Sequence, residues 1–138
     1  MLLVSQEQRR NAGNDAFVSR IVRHMKLHYW KDIGHLPEDV LRGRVAHCIQ
    51  QGRALNLTFE RSLAVFTANM MRIDPCFHQQ KAIAELLATE AMPEAERLDG
   101  LVARISRQQW AEAGQMCADR KAYWDQVDRG MSDPRGEE

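Results

Sequence analysis

No run of apolar residues in this 138-residue chain approaches the roughly 18 that a membrane-spanning helix needs. The opening MLLVS lacks both the charged start and the long apolar stretch of a secretory signal, so a cytoplasmic protein without membrane contact is expected. Cysteine is scarce too. Cys48, Cys76 and Cys117 are odd in number and far apart, which suits reduced thiols serving as small core residues better than a disulfide framework. Net charge is absent: 19 basic and 19 acidic residues cancel, so no overall field draws the chain to nucleic acid or an anionic surface. Residues 1–60 carry nine Lys/Arg against six Asp/Glu and residues 61–138 ten against thirteen, too shallow a tilt to argue from. Beyond the short LLV at the start, no alternating β-branched run is bounded by turns, so strands have almost no support. There is no internal repeat, no linker that splits the chain and no phosphate-binding glycine loop; GRALNLT has a glycine and a threonine without the required spacing.

What is present is helical periodicity. Phe17, Val18, Ile21, Val22, Met25 and Tyr29 fall within one arc of a helix over about 6–31, with Ser5 and Gln8 as a capping box and Gly34 as its end. Pro37 suits the first turn of a second helix carrying Leu41, Val45, Cys48 and Ile49 as far as Gly52 or just beyond. Thr58 is placed to cap a third, in which Phe59, Leu63, Phe66, Met70 and Ile73 form a tight stripe; this segment, about 58–73, is expected at the centre. Asp74-Pro75 then opens a short helix with Ile83, Leu86 and Leu87, and Met92-Pro93 opens one with Leu98, Leu101, Val102 and Ile105. Ser106 with Gln109 offers a capping box for a last helix bearing Trp110, Ala113, Cys117, Trp124 and Val127. The pattern predicts an all-α fold, a single domain of five or six helices over 1–128, with a disordered tail over 129–138.

Candidate chemistry is thin. His24 and His28 have the i, i+4 spacing that lets two imidazoles share an ion, but Met25 stands where a metalloprotease helix needs its glutamate base. Cys76 with His78, and His47 beside Cys48, pair a thiol with a base, yet no orienting group or oxyanion site accompanies them in the sequence. Glu85, Glu90, Glu94, Glu96 and Asp99 read as solvated faces or helix N-terminal charges. Arg20, Arg23, Lys26, Lys31, Arg42, Arg44 and Arg53 are spaced for a phosphate-binding stripe that Asp15, Asp32, Glu38 and Asp39 interrupt, so a solvated face without nucleic acid is expected. No catalytic residue, cofactor or metal is expected. Trp30 is different, because continued helical geometry sets it beside Arg23 and Lys26, opposite the apolar arc, as a binding anchor, with Phe77 or Trp124 next in line.

Three blocks, QEQRRNAGNDAFVSRIVRHM, LRGRVAHCIQQGRALNLTFERSLAVFTANMMRIDPCFHQQKAIAELL and ERLDGLVARISRQQWAEA, resemble small α-helical proteins encoded beside type VI secretion spike and effector genes in Gram-negative bacteria. The shared elements are an arginine-and-glycine segment (Arg44 to Gly52), a Leu/Phe/Met helix (Leu63 to Met71) ending in I-x-P-x-F (Ile73, Pro75, Phe77), and a terminal W-x-x-A (Trp110, Ala113). The resemblance implies a non-catalytic protein-binding role: an accessory or co-chaperone that assists loading of a toxin effector together with a larger adaptor chaperone. An immunity protein for a neighbouring toxin is the alternative in the same class. A histidine-dependent metal enzyme built on His24 and His28, with Cys76 and His78 as further ligands, is the alternative in another.

Overall fold

A computed structural model describes residues 6–132, with side chains over 15–130. Eight α-helices and one 3-10 turn occupy these residues, and no strand does: α1 Gln6–His28, α2 Trp30–Ile33, α3 Glu38–Ala54, α4 Glu60–Arg72, η1 Phe77–Gln79, α5 Lys81–Leu87, α6 Glu94–Ala103, α7 Arg107–Ala113 and α8 Arg120–Ser132. The all-α class agrees with the periodicity. The number of helices does not, because the first and last expected helices are each broken in two. Tyr29 leaves helical geometry with φ −132° and ψ 32°, which separates α1 from α2. Gly114 to Asp119 separates α7 from α8, where the Asp119 carboxylate accepts from the Ala122 N–H at 3.0 Å and starts the new helix. α8 runs to Ser132, so 129–132, expected in the tail, are helical; 133–138 and the Ser5 cap lie outside the described residues.

α4 is central as expected: Leu63, Phe66 and Met70 are fully buried. It shares that place with α3, which packs on α1, α4 and α8, while α4 itself also meets α1 and α6. The α3–α4 crossing is tight because of Gly52. A methyl group there would sit 2.7 Å from the Leu63 Cδ2 atom and 3.2 Å from a Phe66 ring carbon, so this glycine permits close approach and does not end the helix. Asn56 ends it, in the left-handed region at φ 66°. The Leu57 N–H bonds the Gly52 carbonyl and the Asn56 N–H bonds the Arg53 carbonyl, the two bonds of a Schellman termination, with Leu57 buried beneath. At the other end of the core, Ser106 and Gln109 form the expected capping box of α7, and the Trp110 indole donates to the Leu101 carbonyl at 3.1 Å.

Candidate functional site

The end of α1 comes out differently from the sequence expectation. The helix stops before Trp30, whose indole lies against Gly34, close enough that a methyl group there would be 2.6 Å from the ring, and whose other face stays open at 59% exposure. Lys26 is paired with Glu38 of α3, Arg23 is exposed, and no cation–π contact joins either to Trp30 among the described residues. Phe77 is overturned as a surface residue. It is fully buried, its ring 5.3 Å from that of Phe66 and stacked on Trp110 at 6.1 Å, because η1 turns it into the core. The His24 and His28 rings stand 4.6 Å apart, with no third ligand near enough to share an ion among the described residues, and burial, then the charge of His28, lowers the His24 pKa.

A second surface forms between α4 and α6. Phe59, Val65 and Val102 are 58%, 37% and 87% exposed around a cleft of about 250 Å³ that Arg61, Ala95, Leu98 and Asp99 also line. Val65 and Val102 stand on α4 and α6 and Phe59 at the N-cap of α4, and all three face solvent. The cleft is held in shape by Glu94, in the first turn of α6, whose carboxylate accepts the Thr58 N–H, the Thr58 hydroxyl and the Phe59 N–H at 2.9–3.0 Å. Thr58 therefore does not cap α4 with its own hydroxyl; the Phe59 N-cap position receives no local side-chain cap, and a carboxylate from another helix takes up its backbone donor. Burial pushes the Glu94 carboxyl up, but the bonds from Phe59, Ser62 and Thr58 outweigh it and hold the pKa below its ordinary value. The sequence signal for this was weak: Arg61, not Glu or Gln, stands three residues after Thr58, so a capping box was missing there.

A third cluster gathers residues that the sequence left scattered. All three cysteines are free, and the Cys76 and Cys117 thiols lie with the Asp74 carboxylate, their ligand atoms within 4.8 Å of one another. On the adjoining side, His47 Nε2 and the Tyr123 hydroxyl are 2.7 Å apart, and His47 meets the Tyr123 and Trp124 rings edge to face. Burial raises the Cys48 thiol, lowers His47 and His78, and with the charges of the three thiols pushes Tyr123 up to about 12. Cys76 is pushed up to about 12 by burial, the bond to Cys117 and the charges of Cys117 and Asp74. A nucleophilic cysteine needs the opposite environment, one that favours thiolate. Neither Cys48 with His47 nor Cys76 with His78 is activated in this arrangement.

The basic residues expected along a solvated face are mostly engaged with carboxylates. Arg20 forms a fork with Glu60, Lys26 meets Glu38, Arg42 bonds Asp15 and Ser19, and Arg44 forms a fork with Asp128 while lying over the Trp124 ring at 5.1 Å. These pairs join α1 to α3 and α4, and α3 to α8. No helix among the described residues is long and apolar enough to cross a membrane. Comparison of the chain with protein-family models, curated proteins and solved structures returns no match.

Proposed function

We propose that this chain is a non-catalytic protein-binding module whose partner docks on the α4–α6 face. The observation that carries the reading is the open apolar cleft: Phe59, Val65 and Val102 stand in water around it, while Ser62, Leu98 and Leu101 beside them are buried. An exposed apolar cleft with charges on its rim suits the apolar face of an amphipathic helix from another protein. Glu94 supports the same reading, because it fixes the Phe59 backbone and so presents that side chain without the entropy loss of ordering it on binding. Trp30 and Leu27, also exposed, give a smaller apolar surface at the end of α1.

The sequence resemblance supplies the partner class in this proposal: a type VI secretion effector or its adaptor chaperone, with the chain as accessory or co-chaperone. The test is co-expression with the proteins encoded beside its gene. A complex that elutes together, and that Val102→Lys separates while leaving the melting transition in place, supports the reading. A gene neighbourhood without spike, adaptor or toxin genes removes the secretion role. Co-elution with a toxin alone, together with protection of cells from it, makes the chain an immunity protein.

A further inference from the structure

The loop after α4 and the loop before α8 bring three metal-binding side chains to one point from segments about forty residues apart, and protein binding on the α4–α6 face gives them no role. We propose that Asp74, Cys76 and Cys117 form a zinc site, with water as the fourth ligand. Their ligand atoms already lie within 4.8 Å of one another. In a tetrahedral zinc site with Zn–S near 2.3 Å and Zn–O near 2.0–2.2 Å, ligand atoms stand about 3.5 to 3.8 Å apart, so ligand-atom movements of about 1 Å close the set. Two sulfurs and one carboxylate favour zinc over magnesium or calcium, which take oxygen donors.

The backbone prepares this arrangement. The Asp74 carboxylate is fully buried and accepts the Cys76 N–H at 2.7 Å and the Cys117 N–H at 3.2 and 3.4 Å, so the third ligand fastens the chain on which each of the other two is carried. Arg120 lies on the rim, its Nε 3.9 Å from Asp74 and its Nη1 donating to the Ile73 carbonyl at 3.1 Å. A guanidinium beside a bare cation is unfavourable. Two thiolates and a carboxylate, however, carry three negative charges against two on zinc, and Arg120 offsets the one left over. A cleft of about 240 Å³ lined by Ile73, Asp74, Pro75, Arg120 and Trp124 opens beside the site. As each Cys–Sγ–zinc bond forms, the thiol proton leaves to solvent, so each ion bound releases two protons and retains one water.

The experiment uses the whole chain purified without an affinity tag, reduced, stripped with a chelator and titrated with cobalt, then zinc. Expected are one ion per chain, a thiolate-to-cobalt charge-transfer band that zinc abolishes, proton release in weak buffer, and affinity climbing more than about 10-fold per pH unit between about pH 6 and 8. Cys117→Ser, in a half-exposed loop position that tolerates the change, should weaken binding about 100-fold or more and diminish the band. The double variant His24→Ala, His28→Ala should bind as the wild type does. The proposal fails if no charge-transfer band forms, or if the band survives Cys117→Ser unchanged. It also fails if the reduced chain takes up no metal while the air-purified one carries a Cys76–Cys117 disulfide, which would make the pair a redox couple.

Discussion

The α4–α6 face and the corner where the loop after α4 meets the loop before α8 show opposite mismatches between side chain and place. On the face, apolar residues stand in water although a complete core lies directly beneath them. At the corner, titratable residues are drawn out of water: Asp74 is buried, His47 and His78 are partly so, and Cys48 is sealed in. The difference lies in what satisfies each group. The corner closes most of its own needs, with Asp74 taking two backbone donors and His47 meeting Tyr123, although the His78 Nδ1 atom is buried without a partner. The face has nothing of its own among the described residues to cover Phe59 and Val102, which is why it reads as a docking surface and the corner as a ligand site.

Both regions rest on α4, and the largest expected effect is on that shared support. Phe66→Ala should lower the unfolding free energy by about 3 to 5 kcal/mol, because the ring is fully buried and contacts Phe77 and His78. Chemical denaturation measures it, and an unchanged midpoint would mean the two regions do not depend on a common centre. Glu94→Gln should act on the face alone, weakening stability by about 1 kcal/mol at neutral pH. Folding lowers this carboxyl's pKa, so its contribution is present above the ordinary carboxylate range and disappears as pH falls through the lowered value. The wild type and the Glu94→Gln variant should therefore converge in acid; a constant gap would show that charge is not the reason. The smallest effect belongs to the corner. Burial lowers the His47 pKa, so the unfolded chain takes up the proton first and stability falls below about pH 6.5. His47→Gln should flatten that decline in part, since His24 and His78 are shifted the same way and keep the rest of the slope.

How much of this was legible in the sequence depended on how local the cause was. The stripe of Leu63, Phe66 and Met70 needed only helical spacing, and the α7 capping box only two residues, so both were readable. The end of α3 just beyond Gly52 was readable, but not the role of that glycine, because one that ends a helix and one that lets another helix approach look alike until the crossing is known; the left-handed terminator is Asn56. Phe77, expected as a surface anchor, and Val102, expected in a core stripe, each came out on the opposite side for a similar reason. The η1 turn buries the first, and the position of α6 on α4 exposes the second although it had the spacing of its stripe. The Glu94 bonds and the convergence of Asp74, Cys76 and Cys117 join residues 35 and 43 positions apart, and no window of sequence contains them.

The most direct test of the account is the affinity of the co-eluting partner for two variants, measured by calorimetry beside the wild type. Val102→Lys changes one exposed side chain near the C-terminal end of α6, where a cation suits the helix dipole, so stability should move by less than about 0.5 kcal/mol. Binding through the α4–α6 face requires it to weaken the complex about thirtyfold or more, some 2 kcal/mol, while Trp30→Ala changes affinity little. Loss of binding in Trp30→Ala with Val102→Lys unaffected would contradict the account and return the interface to the end of α1.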